Sequence, residues 1–349
     1  MLKADLVGKP QDVLLVAPEK KPPGCNVYPP HTSAAELQAW FKTLPESERE
    51  AAQGYFTVIK RDPVGKLSAR PYSEEYGSLL TECAAHLETA ATATSSPSLK
   101  QFLSSRAAAF RSNDYGPSDI HWLGLDSDID VTIGPYETYK DEHFGYKAFF
   151  ECVIGIRDNA ETTKLKAVEA TLPMLDDALP MGAKYKVPST SAVTSPIRVA
   201  NVVYNSGDVA GPQTVAFNLP NDERTVKTHG TAQVLLRNVS MAKFHTILLP
   251  IAHRLLAPSQ VEDVTFESFF THTLCHELCH GIGPHEIALR GEDGVERFST
   301  VRTELQEVHG ALEEAKADIV GLWAMKRLID KGVLDASLAK SMHATFLAG

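Results

Sequence analysis

Between about residues 34 and 112 apolar positions recur every three to four residues, which predicts helices over Ala35–Leu44, Glu46–Ile59, Ser73–Thr92 and Ser98–Ser112. Pro63, Pro71 and Pro97 punctuate the run. From about 119 to 157 the period falls to two and β-branched residues enter. Strands are expected at Asp130–Ile133 and Ala148–Ile156. Residues 158–185 return to a helical pattern. A second β-rich stretch over 198–240 carries expected strands at Arg198–Tyr204, Thr214–Asn218 and Gln233–Leu236. From about 241 onward the chain reads as helix. Residues 1–33 are rich in Pro and Lys and read as an extended segment.

Composition narrows the function classes. At 349 residues the chain is too long for one ordinary core, so two lobes are expected. Hydrophobic residues at 43% and charged residues at 22% are ordinary globular values. A formal charge of −10 argues against nucleic acid and against anionic membranes as partners. Five scattered cysteines are not a disulfide framework. The N-terminal stretch has only a four-residue apolar run, Val13 to Val16, interspersed with Asp5, Asp12 and Glu19. It does not match a secretory signal, and the expected location is cytoplasmic. No segment is long and apolar enough to span a bilayer. There is no internal repeat, P-loop, Rossmann fingerprint or Nudix box.

The chemistry concentrates in two segments, His276-Glu277-Leu278-Cys279-His280 and Glu313-Glu314-Ala315-Lys316-Ala317-Asp318, with Glu314 lying 38 positions after His276. Histidines at i and i+4 of a helix project from one face, one turn apart, as two nitrogen ligands of one tetrahedral zinc must. Glu277 between them is placed to hold and deprotonate a water at the metal. A catalytic zinc takes a third protein ligand and keeps one position open, and a carboxylate from a later helix suits that role. Taken alone, the first segment also occurs in ordinary amphipathic helices. The second shifts the balance. Leu305, Val308, Leu312, Ala315, Ile319 and Leu322 form one apolar stripe, while Glu314 and Asp318 share a neighbouring face with Gly310 and Gly321. Glycines there would let another helix come close. Thr303 and Gln306 are placed as a capping box at the start of that helix. Cys275 and Cys279, interleaved with the histidines, are expected to pack in the core. His272 extends the histidine face by one turn, and His285 is expected in the loop beyond it.

The two segments resemble those of the dipeptidyl-peptidase III family of zinc peptidases, and more closely still the peptidase-like halves of plant Nudix hydrolase proteins. Better-known family members have one more residue between the two histidines; the spacing here is that of a regular helix. Three further segments occur in the family's order across roughly residues 110–325. Gly134-Pro135-Tyr136-Glu137-Thr138-Tyr139-Lys140-Asp141 is similar to its E-S-Y-R-D segment, continued by Phe144 through Glu151. Asn218-Leu219-Pro220-Asn221-Asp222 is similar to its N-I-P-N stretch, with Asn238-Val239 beyond.

The resemblance implies an α+β fold of two lobes around a cleft, one a mostly helical zinc lobe and the other holding a β-barrel plus helices. Residues 34–157 and 199–243 would form the barrel lobe, with 158–198 and 244–349 the zinc lobe. The family's domain continues beyond the last residue here, so that lobe is expected to be C-terminally incomplete. One Zn²⁺ per chain would be held by His276, His280 and Glu314, with Glu277 as general base. Glu313 and Asp318 would accept hydrogen bonds from the ligand imidazoles. Tyr139 would donate its phenol to the scissile carbonyl, Glu137 would receive the substrate's α-amino group, and Asn218 and Asn221 would bind its backbone. Without the resemblance, Glu137 and Tyr139 read as alternating strand residues, and Asn-Leu-Pro-Asn as a turn.

The function expected is a zinc metallopeptidase acting near the N-terminus of short peptides. The alternative is a zinc-containing but catalytically weak peptide- or partner-binding module. Hydrolysis of a non-peptide amide is a third class that a sequence does not separate from the first.

Overall fold

The computed structural model describes residues 24–182, 185, 196–207, 214–284, 286–290, 296–305 and 308–349. Along the chain these form α1 (Ala34–Thr43), α2 (Glu46–Gln53), β1 (Thr57–Arg61), β2 (Leu67–Pro71), α3 (Tyr72–Glu75), α4 (Gly77–Ala93), α5 (Pro97–Ser112), α6 (Gly116–Leu123), β3 (Ile129–Glu137) and β4 (Phe149–Arg157). Next come α7 (Asn159–Glu169), α8 (Leu172–Asp177), β5 (Ile197–Gly207), β6 (Ala216–Leu219), α9 (Glu223–His229) and β7 (Ala232–Leu236). The last stretch holds α10 (Arg237–Lys243), a π turn over Phe244–Leu248, α11 (Leu249–Leu255), α12 (Pro258–Val261), α13 (Phe266–Cys279), β8 (Glu286–Arg290), β9 (Glu296–Thr300), α14 (Val301–Leu305), α15 (His309–Asp330) and α16 (Leu338–Ala348). The fold is α+β, and none of the described helices is long and apolar enough to cross a membrane.

The chain divides into two compact units, residues 1–157 with 200–234, and 158–199 with 235–349. In the first, α4 and α5 pack as a hairpin. Leu80, Ala84, Leu87 and Ala91 form the buried stripe of α4, set at the spacing that places them on one face. Ser96 caps α5 by accepting from the Leu99 amide, and Pro97 follows where its missing N–H costs nothing. Five strands form the main sheet in the order β3-β4-β5-β7-β6, with β3/β4 and β4/β5 antiparallel. A closed barrel is not among the strand pairings of the described residues.

Two buried cations organise this unit. Arg106 on α5 is fully buried, donates to Asp119 Oδ1 at 2.5 Å and to the Tyr136 hydroxyl at 2.9 Å, and lies over the rings of Phe102, Tyr115 and Tyr136. Gly134 on β3 makes room for it, because a Cβ there would stand 2.6 Å from Arg106 Nη1. Lys147, also fully buried, donates to the carbonyls of Ala52 and Gly54 and to the Thr57 hydroxyl at 2.6–2.8 Å. Burial pushes its amine below the usual lysine range, and Asp141 opposes that shift. Asp141 accepts from the Tyr28 hydroxyl and from the amides of His143, Phe144, Tyr146 and Lys147, which closes the loop after β3.

Local expectations failed at three places in this unit. The helix over Glu46–Ile59 stops at Gln53, and Thr57–Arg61 pairs with Leu67–Pro71. Gly54 breaks the helix, and the run Tyr55-Phe56-Thr57-Val58-Ile59 fits a pleated surface better than a helix. The helix over Ser73–Thr92 is interrupted at Tyr76. The strand-like region from 119 begins instead inside α6, where buried Trp122 donates to the Val131 carbonyl and the Thr132 hydroxyl.

In the second unit α13 and α15 pack along each other, and α16 joins them through a Ser268–Ser341 hydroxyl contact of 2.6 Å and a bond from the Thr265 amide to Thr345 Oγ1. Thr265 also caps α13, accepting from the Ser268 amide. Phe266, Phe270, Leu274, Cys275, Leu278 and Cys279 are buried on α13. The stripe expected to bury α15 is not the buried one: Val308, Leu312, Ala315 and Ile319 are exposed, whereas Ala317, Gly321, Ala324, Met325 and Leu328 are buried. The expected Thr303/Gln306 capping box falls partly outside the described residues. Thr300 accepts from the Thr303 amide, and Gln306 lies outside the described residues.

Candidate metal centre

The last turn of α13 presents His276 and His280, and the early turns of α15 present Glu313, Glu314 and Asp318. The helices approach closely because of Gly321. A Cβ on it would sit 2.9 Å from the His276 amide nitrogen and 3.1 Å from His276 Cα. Those neighbours are backbone, so they yield only if α13 moves. Gly310, the other glycine expected at the contact, has open space around it. Gly321→Ala is therefore expected to lower stability by about 1–3 kcal/mol, as overpacking does, even though Ala favours a helix. A thermal melt with zinc titration checks this; an unchanged or raised melting temperature would contradict it.

His276 Nδ1 lies 2.8 Å from Asp318 Oδ1, and His280 Nδ1 lies 3.0 Å from Glu313 Oε1. Carboxylates only accept, so Nδ1 of each ring is the donor in these pairs, and the tautomer with its proton there presents a bare Nε2. The two Nε2 atoms face each other at 3.1 Å, with Glu314 Oε2 at 3.3 Å from His276 Nε2 and 3.9 Å from His280 Nε2. These three donor atoms all lie within 4.8 Å of one another. Three acceptors converging with no proton to share are satisfied by a cation. Two imidazoles and one carboxylate match the donor set of a catalytic zinc. The residues fit the metal the sequence suggests.

Burial pushes the Glu277 carboxyl above the usual glutamate range, with His276 and His280 pulling it back down. For Glu313 burial also acts upward, but hydrogen bonds from Lys316 and His280 outweigh it and hold the carboxyl low. The interleaved thiols are core groups: burial pushes Cys275 up, and Cys279 to about 12. His272 does more than extend the helix face. Its Nε2 donates to the Asp318 carbonyl at 3.2 Å and its ring meets Phe346 edge-on, tying α13 to α15 and α16. Sequence reasoning passed over that role and that of Lys316; the i, i+3 pair Glu313/Lys316 was the available signal. His285 lies outside the described residues.

The other expected site residues belong to the first unit. Glu137 ends β3 and is half-buried, and burial pushes its carboxyl up. Asn221 donates to the Tyr136 carbonyl at 3.0 Å and to Glu137 Oε2 at 3.5 Å, so these two expected residues are together. Asn218 is exposed on β6. Tyr139 is 87% exposed in the turn after β3, not in the strand that alternation suggested.

The profile of peptidase family M49 matches residues 64–300, a span that includes both histidines and ends before Glu314. Nudix hydrolase 3 of Arabidopsis thaliana is 52% identical over 352 residues, covering 95% of this chain and 45% of that protein. Among solved structures, dipeptidyl-peptidase III from Caldithrix abyssi superposes with a TM-score of 0.89 at 44% identity, over 96% of this chain and 63% of that one. Dipeptidyl-peptidase III from Corallococcus sp. strain EGB gives 0.79 at 47% identity, over 96% and 61%. The chain thus spans less than two thirds of the length of each of these relatives. Its fold is that of dipeptidyl-peptidase III, and the chain belongs to peptidase family M49.

Proposed function

We propose that this chain is a zinc-dependent dipeptidyl peptidase of the dipeptidyl-peptidase III type, acting on short peptides in the cytoplasm with one zinc per chain. The observation that carries the reading is the pair of bare Nε2 atoms facing Glu314, each imidazole held from behind by a carboxylate. The absence of disulfides among the described residues agrees with a reducing compartment.

In this reading His276, His280 and Glu314 hold the zinc, which when bound supplies Lewis acidity toward a water and a peptide carbonyl. Glu277 takes the proton from the attacking water and later delivers it to the leaving amine. Asp318 and Glu313 keep both imidazoles in the tautomer that presents Nε2. Tyr139 donates its phenol to the developing oxyanion, Glu137 receives the substrate's ammonium, and Asn218 and Asn221 hold the peptide backbone.

The test is metal content measured together with turnover of fluorogenic dipeptidyl amides. One zinc per chain with turnover supports the proposal. One zinc without turnover supports the alternative, a peptide- or partner-binding module. Folded protein that takes up no zinc removes both.

Glu137 offers a second check, because binding and stability should move in opposite directions. Its folded-state pKa lies above the unfolded value, so ionisation costs the folded protein at neutral pH. That contribution favours folding below the unfolded pKa and is lost as pH rises through the folded one. Glu137→Gln removes the cost and the charge that meets the substrate. We expect a melting temperature at pH 7 equal to or above that of the unsubstituted chain, a flatter stability profile on the acid side, and KM raised at least about tenfold. An unchanged KM would remove Glu137 from the substrate site.

A further inference from the structure

Lys316 is the residue of the acidic segment to which the proposed mechanism assigns nothing. It stands on α15 with its amine directed at three oxygens: Glu313 Oε1 at 2.7 Å, the Ile282 carbonyl at 2.9 Å and the His280 carbonyl at 3.4 Å. Two of these three concern one histidine. Lys316 touches the His280 backbone directly, and it touches the imidazole through Glu313, whose Oε1 also accepts from His280 Nδ1.

The same ammonium sits at the C-terminal end of α13, where helix carbonyls lack amide partners and a positive charge is favoured. Its side chain and that of Glu313 are each only about a quarter exposed, so the pair is partly shielded from water. The environment is otherwise acidic, with Glu277, Glu313, Glu314 and Asp318 all near the two histidines. Without a cation on Glu313, its carboxylate would be repelled by Glu314 and free to swing away from the ring it orients.

We infer that Lys316 is a positioning residue for zinc: it clamps His280 at its carbonyl and, through Glu313, at its imidazole, so that Nε2 points at the metal position. The inference rests on the zinc reading of His276, His280 and Glu314. It also predicts that Lys316 sets affinity for zinc rather than the stability of the metal-free fold.

The experiment is chelator competition for zinc on the full chain, with metal-free melting temperatures beside it, for Lys316→Met, Lys316→Arg, Glu313→Gln and the Met/Gln double variant. Zinc affinity should fall about tenfold in Lys316→Met, the low end of what outer partners of metal ligands contribute. Lys316→Arg, which keeps charge and donors, should recover most of it. The metal-free melting temperature should stay close to that of the unsubstituted chain. In the Glu313→Gln background, Lys316→Met should cost clearly less than in the unsubstituted chain, because the imidazole arm of the clamp acts through that carboxylate and only the carbonyl arm remains. Unchanged affinity in Lys316→Met would overturn the inference. So would an equal loss in both backgrounds, which would mark Lys316 as a helix cap alone. If Lys316→Met does not fold, Lys316→Gln is measured instead, and affinity equal to that of the unsubstituted chain again overturns it. An unsubstituted chain that binds no zinc refutes the metal reading instead, so the two failures are distinguishable.

Discussion

Turnover of a dipeptidyl amide should fall by about 10²–10⁴-fold in Glu277→Gln, while the protein still carries one zinc. Glu277 is not among the three atoms that converge on the metal position, so removing its charge leaves that set intact. Gln keeps the shape of the side chain but cannot take a proton. Burial disfavours the charged Glu277 carboxylate, so the neutral amide carries a smaller desolvation cost than the ionised group it replaces. Activity at varied zinc concentration, metal content by elemental analysis and a thermal melt separate the effects. Activity within tenfold of the unsubstituted chain would remove Glu277 as the base. Loss of zinc along with activity would place Glu277 in metal binding.

Asp119→Ala should cost about 3–5 kcal/mol of stability, the usual consequence of leaving a buried charge without its partner. Arg106 is wholly enclosed and Asp119 nearly so, and the guanidinium is surrounded by Phe102, Tyr115 and Tyr136 with Gly134 behind it. Water cannot replace the lost carboxylate. Burial already pushes Asp119 upward against the pull of Arg106, so the pair is held at some expense, and breaking it is worse than deleting it. Replacing both members, Arg106→Met with Asp119→Leu, should therefore recover most of the loss. For a unit of this size the single variant should melt on the order of 10 °C lower. A drop of less than about 2 °C would show that the enclosure opens to water. The pair also bears on the candidate site, because Arg106 holds the Tyr136 hydroxyl while the Tyr136 carbonyl holds Asn221, the partner of Glu137.

Much of the candidate metal centre was legible from spacing alone. His276 and His280 at i and i+4, and Glu314 and Asp318 at i and i+4, share faces because the helix repeat leaves no choice. The α13–α15 contact at Gly321 was also foreseen. The choice of buried face on α15 was not. Large apolar side chains at 308, 312 and 319 outscore Ala317, Gly321 and Ala324 in any reading of hydrophobicity, yet the small residues are the ones that let α13 come near. Close approach selects small volume, and periodicity reports only apolar character. The reading of Tyr139 as a strand residue failed for a related reason. Alternation continued past the point where Asp141, by collecting four backbone amides, turns the chain out of the sheet.

The sequence by itself determined the candidate ligand types, their local helical spacing and the α+β class, because these depend on bond geometry and on periods of a few residues. Tertiary structure alone decided which atoms meet across long separations: Tyr28 with Asp141, Arg106 with Asp119 and Tyr136, Asn221 with Glu137, and Lys316 with the end of α13. It also brought Asp318 and Glu313 from another helix to the Nδ1 atoms of His276 and His280, leaving the Nε2 atoms facing each other. A side chain's chemistry is written in its own residue. Its protonation, its enclosure and its aim come from neighbours that only packing supplies.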